Sequence, residues 1–327
     1  MNTHKLFSDF DTTIRLNDSK ITKLKTHRKA LRDKIRGHFK NNNWGTPKFY
    51  SQGSFPLNTN LNPIKKTTSD GDVKEEYDLD DGVYFICPES ERKEPVTYHD
   101  RIKKAVDGHA DSVIDKTTCV RVVYTDGHHI DLPSYWLEKD GNTPQLTHKS
   151  KGFTESDPKA FKDWVDDKIS NANSNGQLRR IIRYFKAWKD FREDKNSSLK
   201  LPSGFILTIL ACQNFSKDDR DDLGLKNTAE AIKAVLNYSF SCYRPTVPTN
   251  EELLADYSKD IVVKELGNLI SNAQKAIDSN CEKEASKFWR KVFGDRFPLG
   301  KEKDDKSTKS SNDQPTRTKV SAPWLSR

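Results

Sequence analysis

One stretch restricts this chain more than any other: Tyr77-Asp78-Leu79-Asp80-Asp81-Gly82, running straight into the apolar segment Val83-Tyr84-Phe85-Ile86. A run of β-branched and aromatic residues flanked by polar ones reads as a buried strand. Side chains alternate along a strand, so Asp78 and Asp80 share one face while Leu79 and Asp81 share the other. Any fold built on this stretch must therefore place two carboxylates side by side at the open end of an internal strand. An EF-hand loop does not fit, because Val83 stands where that loop needs glycine and a strand follows at once.

Two carboxylates on one strand face suit hard divalent cations such as Mg2+ or Mn2+, which prefer carboxylate, phosphate and water oxygens. Phosphoryl-type chemistry commonly uses two such ions about 3.5–4 Å apart, and a third carboxylate is expected from a neighbouring strand. Asp131 is the candidate. Cys119 to Tyr124 and His128 to Leu132 read as two strands joined by the turn Thr125-Asp126-Gly127-His128, a hairpin that brings Asp131 beside the pair. Upstream, Gln52-Gly53-Ser54 reads as a turn in which glycine lets the backbone approach an anion and serine adds a hydroxyl. His128 and His129 are adjacent on a strand and face opposite ways, so they cannot jointly chelate a metal.

Gln52-Gly53-Ser54-Phe55, the Tyr77 to Gly82 segment and the single later Asp131 together resemble the bacterial cyclic-GMP-AMP-synthase-like nucleotidyltransferases of CBASS antiphage systems. These are relatives of animal cGAS and the oligoadenylate synthases within the DNA polymerase beta superfamily. The resemblance extends to Lys186 and Trp188, to Leu201-Pro202-Ser203-Gly204, to Arg244-Pro245-Thr246-Val247-Pro248 and to Trp289 to Gly294. It implies a polymerase-beta-like α/β lobe with a mixed sheet, an N-terminal spine helix and a C-terminal helical lobe. Expected boundaries are 1–150, 151–300 and a disordered tail at 301–327. By resemblance, Asp78, Asp80 and Asp131 are the catalytic metal ligands for two Mg2+ or Mn2+ ions. Gln52, Gly53, Ser54, Lys186 and Ser203 then bind the nucleotide.

The implied activity joins NTPs, ATP or GTP among them, into a cyclic oligonucleotide with release of pyrophosphate, in signalling to a nucleotide-gated effector. The identity of the bases and the linkage stay open at this level. Two other readings of the residues also remain: a linear oligonucleotide or RNA-tailing transferase, and a non-catalytic nucleic-acid-binding module. The second draws on the net charge of +8 and on the basic helix expected from Asn17 to Asn41. In the first of these the same triad serves; against the second, the helix lacks interleaved aromatic residues for base stacking.

Five separated cysteines and no Cys-x-x-Cys pair argue against structural zinc and disulfides and fit a reducing cytoplasm, which the resemblance implies is bacterial. Without a zinc-bearing insertion, activation by DNA is not expected. The longest apolar stretch, Phe205 to Cys212, is too short to cross a bilayer, so no membrane partner is expected. Further along, Leu178, Ile181, Ile182, Phe185 and Trp188 form a helical apolar stripe, with Arg179, Arg183 and Lys186 on another face where they would meet a triphosphate. Lys65 and Lys66 are further possible phosphate neighbours. Pro202-Ser203 opens a helix, and Thr249-Asn250-Glu251-Glu252 has capping-box spacing. The tail is a possible handle for conjugation by a ubiquitin-like machinery.

Overall fold

The computed structural model describes residues 1–67, 71 and 73–302. The Lys66 side chain is not described and residues 303–327 of the expected tail lie outside the described residues, so neither expectation is carried further. The chain opens with helices α1 (His4–Ile14) and α2 (Asp18–Asn41), followed by β1 (Lys48–Gln52) and the short pair β2 (Lys66–Thr67) and β3 (Val73–Lys74). Next come β4 (Asp78–Ile86), α3 (Pro95–Val106), β5 (Ser112–Asp115), β6 (Cys119–Val123) and β7 (His129–Leu137). Strands β8 (Gln145–His148) and β9 (Gly152–Glu155) complete the sheet. From there the described chain is helical: α4 (Pro158–Asn171), α5 (Gln177–Lys195), α6 (Gly204–Asn214), α7 (Asp221–Tyr238), α8 (Lys259–Asp278) and α9 (Glu282–Phe293).

The sheet is mixed, in the order β1-β4-β7-β6-β5, with β8 and β9 continuing from β7. Its central pair, β4 and β7, is parallel, while β1 and β6 flank it antiparallel. Leu79, Val83 and Phe85 point to the back, where Ile130, Leu132 and Trp136 join them under Leu24, Leu31, Ile35 and Phe39 of α2 and Ile102 of α3. Alternation leaves Asp78 and Asp80 on the front. Asn17 caps α2 by accepting from the Lys20 amide at 2.9 Å, as its side-chain oxygen and the helix's free amides require.

Asp81, fully buried on the back face, meets Arg32 of α2 in a two-pronged pair at 2.6 and 2.5 Å. A buried carboxylate needs such a partner. This pair explains why the third aspartate of the run takes no part in the front-face site. It also uses one of the basic residues that the sequence left on the surface of α2; Lys20 and Lys23 likewise pair with Glu75 and Asp126.

Two features of the organisation differ from the sequence reading. The expected spine helix is α2, but a helix not singled out from the sequence, α1, precedes it. While α2 covers the sheet, Leu6, Phe7, Phe10 and Ile14 of α1 belong to the helical core, where Phe7 packs edge-on to Trp289 with ring centres 4.7 Å apart. Burying each phenylalanine contributes about 1.5–3 kcal/mol, and Asp11 fixes α1 to α5 through Arg183 at 2.7 and 2.9 Å. The first fourteen residues thus pack with the second lobe, and the sheet runs on to Glu155, past the expected boundary at 150. Secondly, Thr249 to Glu252 starts no helix: α8 begins at Lys259 with Ser258 as its cap. Glu251 is instead paired with Arg244, and Glu252 accepts from the amides of Cys242 and Leu254.

Candidate functional site

Strand register builds the site as a row. Gln52 lies opposite Asp80, Asp80 beside Asp131, and Asp131 opposite Arg121, one residue from each of β1, β4, β7 and β6. Laterally paired residues project from the same face, so these four side chains stand in line across the front of the sheet. One step along, Asp78 pairs in register with His129.

The row is electrostatically loaded. The carboxyl of Asp80 is held well above the usual carboxylate range, first by burial and then by the neighbouring charges of Asp78 and Asp131. Arg121 answers only part of this: its guanidinium grips Asp131 with two bonds of 2.7 Å. Burial, reinforced by Arg121, also pushes the imidazole of His129 down and keeps it neutral. His128 faces the back, stacked on Tyr124 and Tyr77 and bonded to Asp126, which agrees with the expectation that the two histidines do not act together.

Among the described residues no three His, Cys, Asp or Glu side chains enclose a metal ion as they stand. The register brings Asp131 next to Asp80, but its carboxylate is turned onto Arg121. The donor set nevertheless fits a divalent ion. Three carboxylates crowd one face, and the middle one is destabilised as an anion by the other two. That repulsion is what a hard cation would relieve.

The turn after β1 rises against this row. Gly53 has φ +71°, and a Cβ there would lie 2.3 Å from Oδ2 of Asp80. Only glycine allows this backbone conformation and this approach together. The amide of Thr59 donates to the Ser54 carbonyl at 3.0 Å, closing the loop, and three cations from α5 hold its far side. Arg179 donates to the Leu57 carbonyl at 3.1 Å, Arg183 to the Asn58 carbonyl at 2.7 Å, and Lys186 to the Thr59 carbonyl at 3.2 Å and its hydroxyl at 3.0 Å. Their spacing puts all three on one helix face, as expected. However, Arg183 is buried between the loop and Asp11 and is not free to meet a triphosphate.

Lys186 is different, since it borders both cavities that meet at the turn. One, about 220 Å³, also borders Ser54, Asn60 and Asp78. The other, about 370 Å³, borders Gln52, Gly53, Ser54 and Asp80 and extends to Tyr135 and Arg244. Burial lowers the Lys186 ammonium to about 8 against the opposing pull of Asp78 and Asp190. Ser203 accepts from the Ile206 amide at 3.3 Å as the cap of α6, and the cavities border its neighbour Gly204. The residue identified as a nucleotide contact thus has its hydroxyl engaged in capping. A roomier cavity of about 470 Å³ is walled by Asp190, Glu193 and Asp194 and would repel a triphosphate.

Residues 47–135, the segment from β1 to β7 that carries the whole row, match the family described as "Cyclic GMP-AMP synthase DncV-like, nucleotidyltransferase domain". That segment is similar to the DncV-like nucleotidyltransferase domain. It is 26% identical to a cyclic GMP-AMP synthase from Escherichia albertii over 54% of this chain and 39% of that protein. It is also 24% identical to a cyclic AMP-AMP-AMP synthase from an Acinetobacter species, over 91% of this chain and 86% of that one. The match therefore spans about two fifths of the Escherichia albertii relative. The fold is shared with the Vibrio cholerae DncV cyclic AMP-GMP synthase solved with nonhydrolyzable GTP, with a TM-score of 0.75 at 19% identity, covering 91% of this chain and 97% of that chain.

Three residues of this site were not singled out from the sequence. Arg121 could have been found from alternation, since Cys119, Arg121 and Val123 share a strand face. Tyr135 has its hydroxyl 3.0 Å from the Gln52 amide nitrogen. Arg244 stood out only as part of a motif. No helix among the described residues is long and apolar enough to cross a membrane.

Proposed function

We propose that this chain is a divalent-metal-dependent nucleotidyltransferase that condenses NTPs into a cyclic oligonucleotide with release of pyrophosphate. We assign it to antiphage signalling through an effector that binds the product. The observation that carries this reading is the front-face cluster, in which Asp80 neighbours Asp78 along its strand and Asp131 across the row, beneath the Gly53-Ser54 turn. The family match supports the transferase chemistry, and the two relatives named above, one a dinucleotide and one a trinucleotide synthase, support cyclic products.

Asp78, Asp80 and Asp131 would hold two Mg2+ or Mn2+ ions. Bound there, the ions would lower the pKa of an attacking hydroxyl and neutralise charge on the departing pyrophosphate. The chain's own residues supply position. Ser54 and the turn amides hold the triphosphate, with Lys186 adding a positive charge in a buried setting where it acts strongly. Gln52, fixed by Tyr135, borders the same cavity. Arg121, which grips Asp131, keeps the ion-free row from excess repulsion and would give up that carboxylate when the ions bind. In each condensation a ribose hydroxyl oxygen bonds to the α-phosphorus of an NTP, the bond to the β-phosphate oxygen breaks in line, and the hydroxyl proton passes to solvent. A second such step within the linear product closes the ring.

The test is incubation of the full chain with all four NTPs and Mg2+ or Mn2+, followed by phosphatase treatment and mass spectrometry. Phosphatase-resistant product is expected. Products with free ends would point to a linear transferase, and absence of turnover with unchanged NTPs would refute the enzyme reading.

A further inference from the structure

The 370 Å³ cavity is lined by two chemically distinct sets of groups. Its lining includes Ser54, Lys186 and Asp80, and also Phe205 and Arg244. Arg244 is held with unusual firmness for a half-buried arginine. Its backbone amide donates to the Glu251 carbonyl at 2.9 Å, and its Nε bonds the Glu251 carboxylate. The adjacent bridge between Tyr243 and Glu252 ties the two sides of this loop together. The guanidinium carbon lies 4.8 Å from the centre of the Phe205 ring, which itself rests on Phe161. Among the described residues, neither terminal nitrogen of Arg244 has a hydrogen-bond partner. An arginine whose ε-nitrogen is anchored, whose plane is supported by an aromatic ring and whose outer donors are unused is prepared for a ligand.

We infer that Arg244 is a specificity-determining residue that reads the base of a nucleotide whose triphosphate lies against Ser54 and Lys186, and that it selects guanine. The inference rests on the nucleotidyltransferase reading and goes beyond it by naming the base and the residue that chooses it. Arginine can only donate. Guanine presents two acceptors on one edge, O6 and N7, which match a guanidinium with two bonds; adenine puts an amino donor beside its N7 and meets arginine donor to donor. Cytosine likewise offers an amino donor, and uracil a single acceptor on that edge. A volume of 370 Å³ lies within the range of small-ligand pockets. Phe205, next to Gly204 at the start of α6, supplies an apolar wall.

The test measures binding, separately from turnover. Dissociation constants for α,β-methylene GTP, its 7-deaza form and α,β-methylene ATP are measured on the unaltered full chain with Mg2+, then on Arg244→Met and Glu251→Gln. The unaltered chain should favour the guanine analogue over adenine by about 10- to 100-fold, the worth of one two-pronged base contact. Removing N7 should erase most of that preference with no change in the protein. Arg244→Met should lose it while leaving adenine affinity within about twofold, and Glu251→Gln, which keeps an acceptor for Nε, should retain it. Equal or tighter adenine binding, an unaffected 7-deaza analogue, or a parallel loss of both bases in Arg244→Met would overturn the assignment of Arg244 alone. Failure of every analogue to bind the unaltered chain would overturn the nucleotide-cleft reading with it.

Discussion

Replacing Gly53 by alanine isolates the contact between the turn and the central carboxylate. Two separate costs arise. At φ +71° an L-residue with a Cβ is strained by about 1–2 kcal/mol. The added carbon would also sit 2.3 Å from Oδ2 of Asp80, well inside contact distance, so the carboxylate must move by the better part of an ångström. Asp80 shares its face with Asp78 and Asp131, whose charges crowd it and leave it few places to go. A misplacement of about 1 Å in a reacting constellation costs roughly 100-fold in rate. The control is Gly108→Ala, which has the same kind of backbone conformation, φ +64°, with nothing within 4 Å of the added carbon. Both variants should lose about 1–2 kcal/mol in urea unfolding, but only Gly53→Ala should lose about two orders of magnitude in pyrophosphate release. Equal activity in the two, at equal stability loss, would show that the turn does not set the position of Asp80.

Asp80→Asn should abolish turnover by about three orders of magnitude, as loss of several kcal/mol of metal stabilisation requires, while raising the melting temperature in EDTA. Because the folded-state pKa of Asp80 is raised, its contribution to stability is greatest below the ordinary carboxylate range and is lost as pH rises through the folded value. The gain from asparagine should therefore be larger at neutral than at acid pH in thermal scans. Lys186 gives the opposite sign. Its ammonium is lowered to about 8, so triphosphate binding should weaken as pH rises through that value. Stability from the same group should increase between about 8 and the ordinary lysine range, where the unfolded chain still binds the proton; Lys186→Met should lose both dependences in calorimetry and thermal scans. Arg32→Ala strands the buried Asp81 and should cost about 3–5 kcal/mol, whereas the double change to Arg32→Met with Asp81→Leu should recover much of it in urea unfolding.

The sheet was legible because its signals are local. Strand alternation is enough to send Asp78 and Asp80 to one face and Leu79 and Asp81 to the other, and the Thr125 to His128 turn places Asp131 by simple hairpin geometry. The partners of those residues were not legible, because partners depend on tertiary contacts between distant segments. Nothing near Asp81 announces Arg32, forty-nine positions away, as its counter-ion. Nothing near Arg183 announces Asp11. Helix α1 was missed for a related reason: with its apolar residues at Leu6, Phe7, Phe10 and Ile14 it has helical spacing, but it begins at the fourth residue and gains its stability from a core assembled from residues far down the chain. The false capping box shows the converse. Thr249 to Glu252 satisfies a local pattern, yet Glu251 and Glu252 are taken by Arg244 and by backbone amides in a loop.

The convergence of Asp78, Asp80 and Asp131 on shared divalent ions is tested most directly by a crystal structure of the full chain with Mn2+ and a nonhydrolysable NTP, using anomalous scattering to locate the metal. Two manganese peaks are expected between the three carboxylates and the triphosphate, with Asp131 turned away from Arg121. Manganese bound elsewhere, or an Asp131 still locked to Arg121 beside an occupied nucleotide, would contradict it.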